Sequence, residues 1–401
     1  MDYAVIKNKA TYQSLQLFSI VLLPWGLFFS EAMTSILIIL FAVPLLFFGA
    51  QIDRKAVLDS WPFFAFYGLL LISGFWSRDT GQWFNLLRTN LPYVFIPMAF
   101  ALWPQVFHQR KKLFVRQFIF AGIAISIYLI GFSLVNSEEV LRGLREGGSF
   151  EMPVHHVRTS LFMAIAGVIG WDEWIRHRWG SAKARGFGLG LIFIIIGIHL
   201  LAVRTGLVLL YLGTIITFIW NSKFHQKQGY ATMALFGFLI IIALATLPTI
   251  GEKWRYFLDD FRHYDSTSWW FYSDAVRWQS NVIGWELFKS APWWGIGMGD
   301  IYESMHLLFY ERDGIRIHEY PHNLWITFLA GTGIIGFIIL NLILGRIGLW
   351  VFRKSSLMYG VLFLLFMLSC LVENTLLTSL GSSCFVAIHL FAMRVGQRKE
   401  E

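Results

Sequence analysis

Three observations predict an all-α polytopic membrane protein. Hydrophobic residues make up 56% of the 401-residue chain, charged residues only 14%, and the apolar residues gather into runs long enough to cross a bilayer. Soluble domains carry about 25% charged residues, and a helix needs roughly 20 mostly apolar residues to span the hydrocarbon. Twelve runs meet or approach that length: about 13–30, 33–48, 61–76, 91–104, 113–135, 157–171, 186–203, 205–220, 230–248, 322–344, 357–373 and 376–393. The run at 91–104 is short and holds Pro92, Pro97 and Pro104, and the seventh and eighth are nearly continuous through Arg204. About twelve transmembrane helices are therefore expected, give or take one. The predicted organisation is helices 1–9 over 1–248, an extramembrane loop domain over 249–321, and helices 10–12 with a tail over 322–401.

Lys7 and Lys9 precede the first run, but no small-residue cleavage site follows Phe29 and a second run begins at once. That pattern predicts a retained helix, not a cleaved signal peptide. Cys370 and Cys384 fall in apolar runs, where cysteine behaves as a small hydrophobe. No internal repeat is visible, which speaks against the inverted-repeat plan of many transporters.

Alternating the connections from an inside N-terminus places twenty of the 33 basic residues in short inside loops, split evenly between Lys and Arg. The positive-inside rule then puts both termini in the cytoplasm. Of the thirteen basic residues left for the outer side, eleven are Arg: 78, 88, 142, 145, 158, 204, 255, 262, 277, 312 and 316. Arg offers a planar fork of donors that fits phosphate oxygens in bidentate fashion. An Arg-rich outer face suggests a phosphorylated or acidic ligand; side chains snorkelling to lipid head groups explain the same pattern.

Two outer connections are long. The first, about 136–157, reads NSEEVLRGLREGGSFEMPVHHV. Its adjacent His155 and His156 do not converge on one ion, and no acidic or sulfur ligands stand at metal spacing, so no metal is expected. The second, about 249–320, opens with EKWRYFLDDFRHY, in which Trp254, Phe257, Leu258 and Phe261 recur at helical spacing opposite Asp259, Asp260 and Arg262. This predicts an amphipathic helix at the membrane surface. Ser273 and Asp274 offer an N-cap for a second helix to about Lys289. The glycine-spaced PWWGIGMGD that follows lacks a preceding strand and an ensuing helix, so it predicts a tight turn under aromatic cover and no cofactor. The density of Trp suits sugar stacking and an interfacial belt equally.

Ionisable residues within spans are functional candidates by default. Arg204 lies between two apolar stretches with no acidic residue near it in sequence. Opening the eighth span, it would add its charge to a helix N-terminus and hold an anion; a lone snorkelling Arg is the alternative. His322 stands at the outer end of the tenth span. A neutral imidazole there suits a general base, and a structural role is the competing reading. Pro321 is expected to set the entry into that helix, and Gly331, Gly333 and Gly336 to admit a neighbouring helix. Glu373 and Asn374 begin the last outer turn and read as a solvated cap.

The segment His322-Asn323, nine residues, then Gly333-Ile334-Ile335-Gly336 resembles the signature of the O-antigen ligase family of bacterial membrane proteins. Arg204 in an R-T-G-L segment opening a span, Arg277-Trp278 followed by Pro292 and G-I-G-M-G-D, and the long outer loop before the histidine span resemble it too. The likeness covers roughly 186–395; residues 1–185 agree only in hydropathy. It implies a glycosyltransferase acting on the periplasmic face of the inner membrane in lipopolysaccharide biosynthesis. The implied reaction is an inverting transfer of a glycan from undecaprenyl diphosphate to a sugar of lipid A–core, with no cofactor, metal or nucleic acid. His322 would match the general base and Arg204 and Arg277 the diphosphate-binding arginines. Asn323, Arg142, Arg145, Arg158 and Arg255 are secondary candidates for substrate binding. O-antigen or exopolysaccharide polymerases and protein O-glycosyltransferases share parts of the pattern. Outside the family, a transporter of an anionic or lipid-linked glycan would also use Arg204, but would release no undecaprenyl diphosphate. A structural scaffold explains neither the arginines nor the histidine.

Overall fold

A computed structural model of the chain describes residues 3–138, 140, 142, 152–178, 180–221, 230, 234, 237–238, 241, 248–262 and 269–393. It is all-helical, 83% of it helix, with no strand among the described residues. Helices of nine or more residues follow in chain order: α1 (Tyr3–Phe29), α2 (Glu31–Ala42), α3 (Trp61–Ile72), α4 (Thr80–Thr89), α5 (Pro92–Phe100), α6 (Lys111–Val135), α7 (His156–Arg176), α8 (Ala182–Leu201), α9 (Arg204–Asn221), α10 (Pro248–Arg262), α11 (Ser273–Ser290), α12 (Ile301–Asp313), α13 (Leu324–Lys354), α14 (Leu357–Ser369) and α15 (Ser379–Met393).

Among the described residues five helical stretches are long and apolar enough to cross a membrane: Lys9–Phe29, Glu31–Gln51, Lys111–Val135, Ala182–Leu201 and Leu324–Lys354. Trp61–Phe75, Arg204–Trp220, Leu357–Ser369 and Ser379–Met393 are apolar but shorter. The expected twelve are thus reached only in part. The run at 91–104 becomes the nine-residue α5, a turn and the short helix Pro104–Gln109, because its prolines interrupt one long helix. The run at 157–171 is α7, which carries Arg158, Asp172, Glu173 and Arg176 at its two ends. The run at 230–248 lies almost wholly outside the described residues.

The chain divides into two compact units, Met1–Ile20 with Ser35–Lys111 and Ala275–Glu401, and Val21–Thr34 with Lys112–Asp274. In the second, α7 packs along α8 and α9. Small residues bring the backbones close there: a Cβ on Gly206 would lie 2.5 Å from the Ser160 Cβ, and one on Gly122 2.8 Å from the Ala166 Cβ. Close backbone approach through small residues is a recurrent way of packing helices in lipid. The α10 helix forms as its period predicts, with Trp254 and Leu258 exposed. Asp260 does not join its polar face; it is fully buried and accepts the backbone N–H of Asp274 at 2.9 Å. The side chains of Phe257 and Phe261 lie outside the described residues.

In the first unit, α15 is buried along nearly its whole length. Phe63 and Phe66 of α3, Tyr93 and Phe100 of α5, and Phe385 and Phe391 of α15 interlock as an aromatic core, with Phe66 stacked on Tyr93 at 4.3 Å. That core holds the turn before α15. The Tyr93 hydroxyl donates to Leu376 O at 3.0 Å and the Asn90 amide to Leu377 O at 3.2 Å.

Helix α13 is interrupted. Gly333 has φ 63°, ψ −168°, a conformation essentially confined to glycine. A continuous helix would pair Ile334 N–H with Ala330 O and Ile335 N–H with Gly331 O. Instead Ile334 N–H donates to Pro292 O at 2.8 Å and Ile335 N–H to Trp293 O at 3.4 Å. The orphaned carbonyls of Ala330 and Gly331 accept from Ile296 N–H and Gly297 N–H at 2.9 and 3.0 Å. The turn PWWGIGMGD therefore fills the gap in α13, and Gly331 and Gly333 admit this loop where the sequence suggested another helix. A Cβ on Gly333 would meet the Trp293 carbonyl at 2.3 Å. The loop is fastened at its far end as well, where Asp300 accepts from Arg78 N–H and Asp79 N–H at 2.9 and 2.6 Å, and α12 opens directly from it, although the sequence suggested no ensuing helix.

Candidate functional site

His322 sits two residues before the start of α13, outside the apolar helix. Asn323 caps that helix, its Oδ1 accepting from Trp325 N–H at 2.9 Å and Ile326 N–H at 3.2 Å. The other end of the Asn323 amide donates to Leu371 O at 3.0 Å. Leu324 N–H donates to Cys370 O at 2.9 Å, the Asn374 amide to Pro321 O at 2.6 Å, and Thr327 Oγ1 to Asn374 Oδ1 at 2.9 Å. These bonds stitch the segment carrying His322 to the turn carrying Glu373. Pro321 serves here as an acceptor packed against Gly284, and the helix entry is set by Asn323.

The result is a chain of four charges. Glu319 Oε2 lies 3.5 Å from His322 Nε2, and Glu373 Oε2 lies 3.6 Å from His322 Nδ1. The second oxygen of Glu373, Oε1, accepts from Arg277 Nη2 at 3.3 Å, across from helix α11. The imidazole is 19% exposed and Glu373 25%, whereas Glu319 is 44% exposed. Burial alone would pull the imidazole's pKa down; the carboxylates of Glu319 and Glu373 outweigh it and push the pKa from 6.5 to about 9. At neutral pH the resting site holds an imidazolium, not the neutral ring that the sequence suggests. Glu373, which reads in sequence as a solvated cap, joins the two candidate cations.

Arg204 opens α9, two residues after Ala202, whose φ of 51° ends α8 in a left-handed turn. Its guanidinium forms an ion pair with Asp274, a partner seventy residues on that sequence proximity does not reveal. The Asp274 backbone is in turn held by buried Asp260. An anion arriving at the α9 N-terminus would compete with that carboxylate.

The secondary candidate arginines each have their own surroundings. Arg158 pairs with Glu31 at 3.3 Å, Arg255 lies 3.8 Å from Glu252 with its side chain 81% exposed, and Arg142 is exposed. Arg145 lies outside the described residues. His155 and His156 stack ring on ring, 4.5 Å between centroids.

Residues 189–341 match the sequence profile of a known family, described as O-antigen ligase. That family is of membrane glycosyltransferase or ligase type. The matched stretch contains Arg204, Arg277 and His322 and ends before Glu373. No curated protein matches the chain.

Proposed function

We propose, on the premise that residues 189–341 are an O-antigen ligase domain, that this membrane protein transfers a glycan from undecaprenyl diphosphate to a sugar hydroxyl of lipid A–core. The reaction takes place on the periplasmic face of the inner membrane, with inversion at the anomeric carbon and no metal, and both termini lie in the cytoplasm. The observation that carries this reading is the junction of His322 and Arg277 on one carboxylate. A glycosyl diphosphate is already activated, so its transfer needs a base for the acceptor hydroxyl and cations for the departing diphosphate. His322 supplies the first once it has lost its proton. Arg277 and Arg204 supply the second, and because charge develops on the leaving group they act as transition-state stabilisers. Asn323 holds the histidine segment in place, and Arg142, Arg145, Arg158 and Arg255 offer further contacts to donor or acceptor phosphates.

Purified protein supplied with a lipid-diphosphate glycan and lipid A–core tests the reading. The expected products are glycosylated core and free undecaprenyl diphosphate, formed without added divalent metal. Glycan appended to another repeat unit would instead assign the polymerase reaction of the same family. Glycan crossing the membrane intact, with no lipid diphosphate released, would replace transfer by transport.

A further inference from the structure

Glu373 is the only carboxylate among the described residues that pairs at once with Arg277 and His322, and nothing in the family likeness gives it a role. Its backbone is fixed. The Glu373 N–H donates to Ser369 O at 3.0 Å, and the turn around it is tied to the histidine segment through Cys370 O, Leu371 O and the Asn374 amide. Glu319, on the opposite nitrogen of the ring, sits in a non-helical segment and is nearly half exposed. One face of the imidazole is thus held by a braced carboxylate, and the other meets one that can swing into solvent.

We propose that Glu373 is a positioning residue of the transfer reaction: through His322 Nδ1 it orients the ring so that Nε2 takes the acceptor's proton, and through Arg277 it holds the guanidinium where the donor diphosphate docks. This rests on the transferase reading above. Once the resting imidazolium has released its Nε2 proton to solvent, the acceptor hydroxyl takes the place of Glu319 there and gives its proton to that nitrogen. The hydroxyl oxygen bonds to the anomeric carbon, and the anomeric carbon–oxygen bond to phosphate breaks, its electron pair leaving with the diphosphate. A fixed carboxylate behind the ring sets the tautomer and stabilises the imidazolium that forms. The charged groups facing His322 are Glu319 from its own segment and Glu373 from the turn after α14, with Arg277 of α11 behind Glu373.

Glu373→Gln in the full-length protein tests this through the pH–rate profile of glycan transfer. Removing the charge behind a catalytic imidazole costs up to about 10⁴ in kcat. At least a tenfold fall in kcat is expected here, with the acceptor KM little changed. The acid limb should move to lower pH, because one of the two carboxylates that keep the ring protonated is gone. Glu373→Asp keeps the charge but shortens its reach; it should keep the limb in place and still lose kcat, and it carries the test if the Gln variant fails to fold. Wild-type kcat and limb position in Glu373→Gln, or wild-type kcat in Glu373→Asp if the Gln variant does not fold, would overturn the proposal. His322→Ala assayed alongside separates the two ideas: an active His322→Ala removes the base itself, whereas an inactive one beside an unaffected Glu373→Gln removes only the role of Glu373.

Discussion

The two arginine sites are built from the same ion pair and differ in what the carboxylate does next. In one unit Arg204 meets Asp274, and the Asp274 backbone is anchored by buried Asp260. In the other, Arg277 meets Glu373, whose second oxygen faces an imidazole. A carboxylate that neutralises one guanidinium is a latch that an incoming anion must open. One that spans a guanidinium and a histidine couples anion binding to proton affinity. If a diphosphate takes Arg277, as proposed above, the charge of Glu373 is left to His322 alone, and the ring becomes a stronger base.

The largest effects are expected from variants at the charged groups. His322→Ala should lower the transfer rate by about 10²–10⁴, the range for loss of a general base. Arg204→Ala and Arg277→Ala should each cost about 10²–10³, as for loss of one group that stabilises developing charge; single-turnover assays would check all three. Arg277→Lys should be poor too, since one ammonium does not replace a fork. Equal, mild losses in all four variants would dissolve the distinction.

Gly333→Ala probes the scaffold of the histidine unit. Its φ and the 2.3 Å approach of the Trp293 carbonyl leave no room for a Cβ, and a loss of roughly 3 kcal/mol or more is expected in thermal unfolding.

Alkali sharpens the contrast further. The His322 pKa is raised by folding, so its contribution to stability is complete below about 6.5, the unfolded value. That contribution fades as pH climbs through about 9. The difference in melting temperature between wild type and His322→Gln should therefore shrink over that interval.

The smallest effect is expected at Asp274. Removing a competitor in a half-exposed pair is worth about 0.2–1 kcal/mol, so Asp274→Asn should lower the donor KM by no more than roughly fivefold. A large loss of rate instead would make Asp274 a catalytic partner of Arg204 in its own right.

The sequence makes the helical class and the membrane setting legible and singles out His322, Arg204 and Arg277 as candidates, because hydropathy and the His-Asn…Gly-x-x-Gly spacing are local signals. It hides the partners, since ion pairs between residues 204 and 274, or 277 and 373, leave no trace in periodicity. Glu373 carries one usable signal, an acidic residue at the edge of an apolar run, and proximity to Asn374 makes it look like a cap. Helix count suffers for a related reason: the prolines of 91–104 and the glycine at 333 interrupt helices inside runs that hydropathy treats as uniform. Charge state was out of reach as well, because the imidazole's proton affinity depends on two side chains folded against it.

The union of the glycine turn with the gap in α13 bears on how the protein is made. Residues 292–297 leave the ribosome before residues 330–335, so the plug exists before the hole it will stop. Exposed peptide groups are costly in lipid, and the turn supplies the hydrogen-bond partners that the gap in α13 lacks. A chimera that exchanges either glycine segment without the other would strand four peptide groups at once, and the two stretches should be inherited, swapped or redesigned only as a pair.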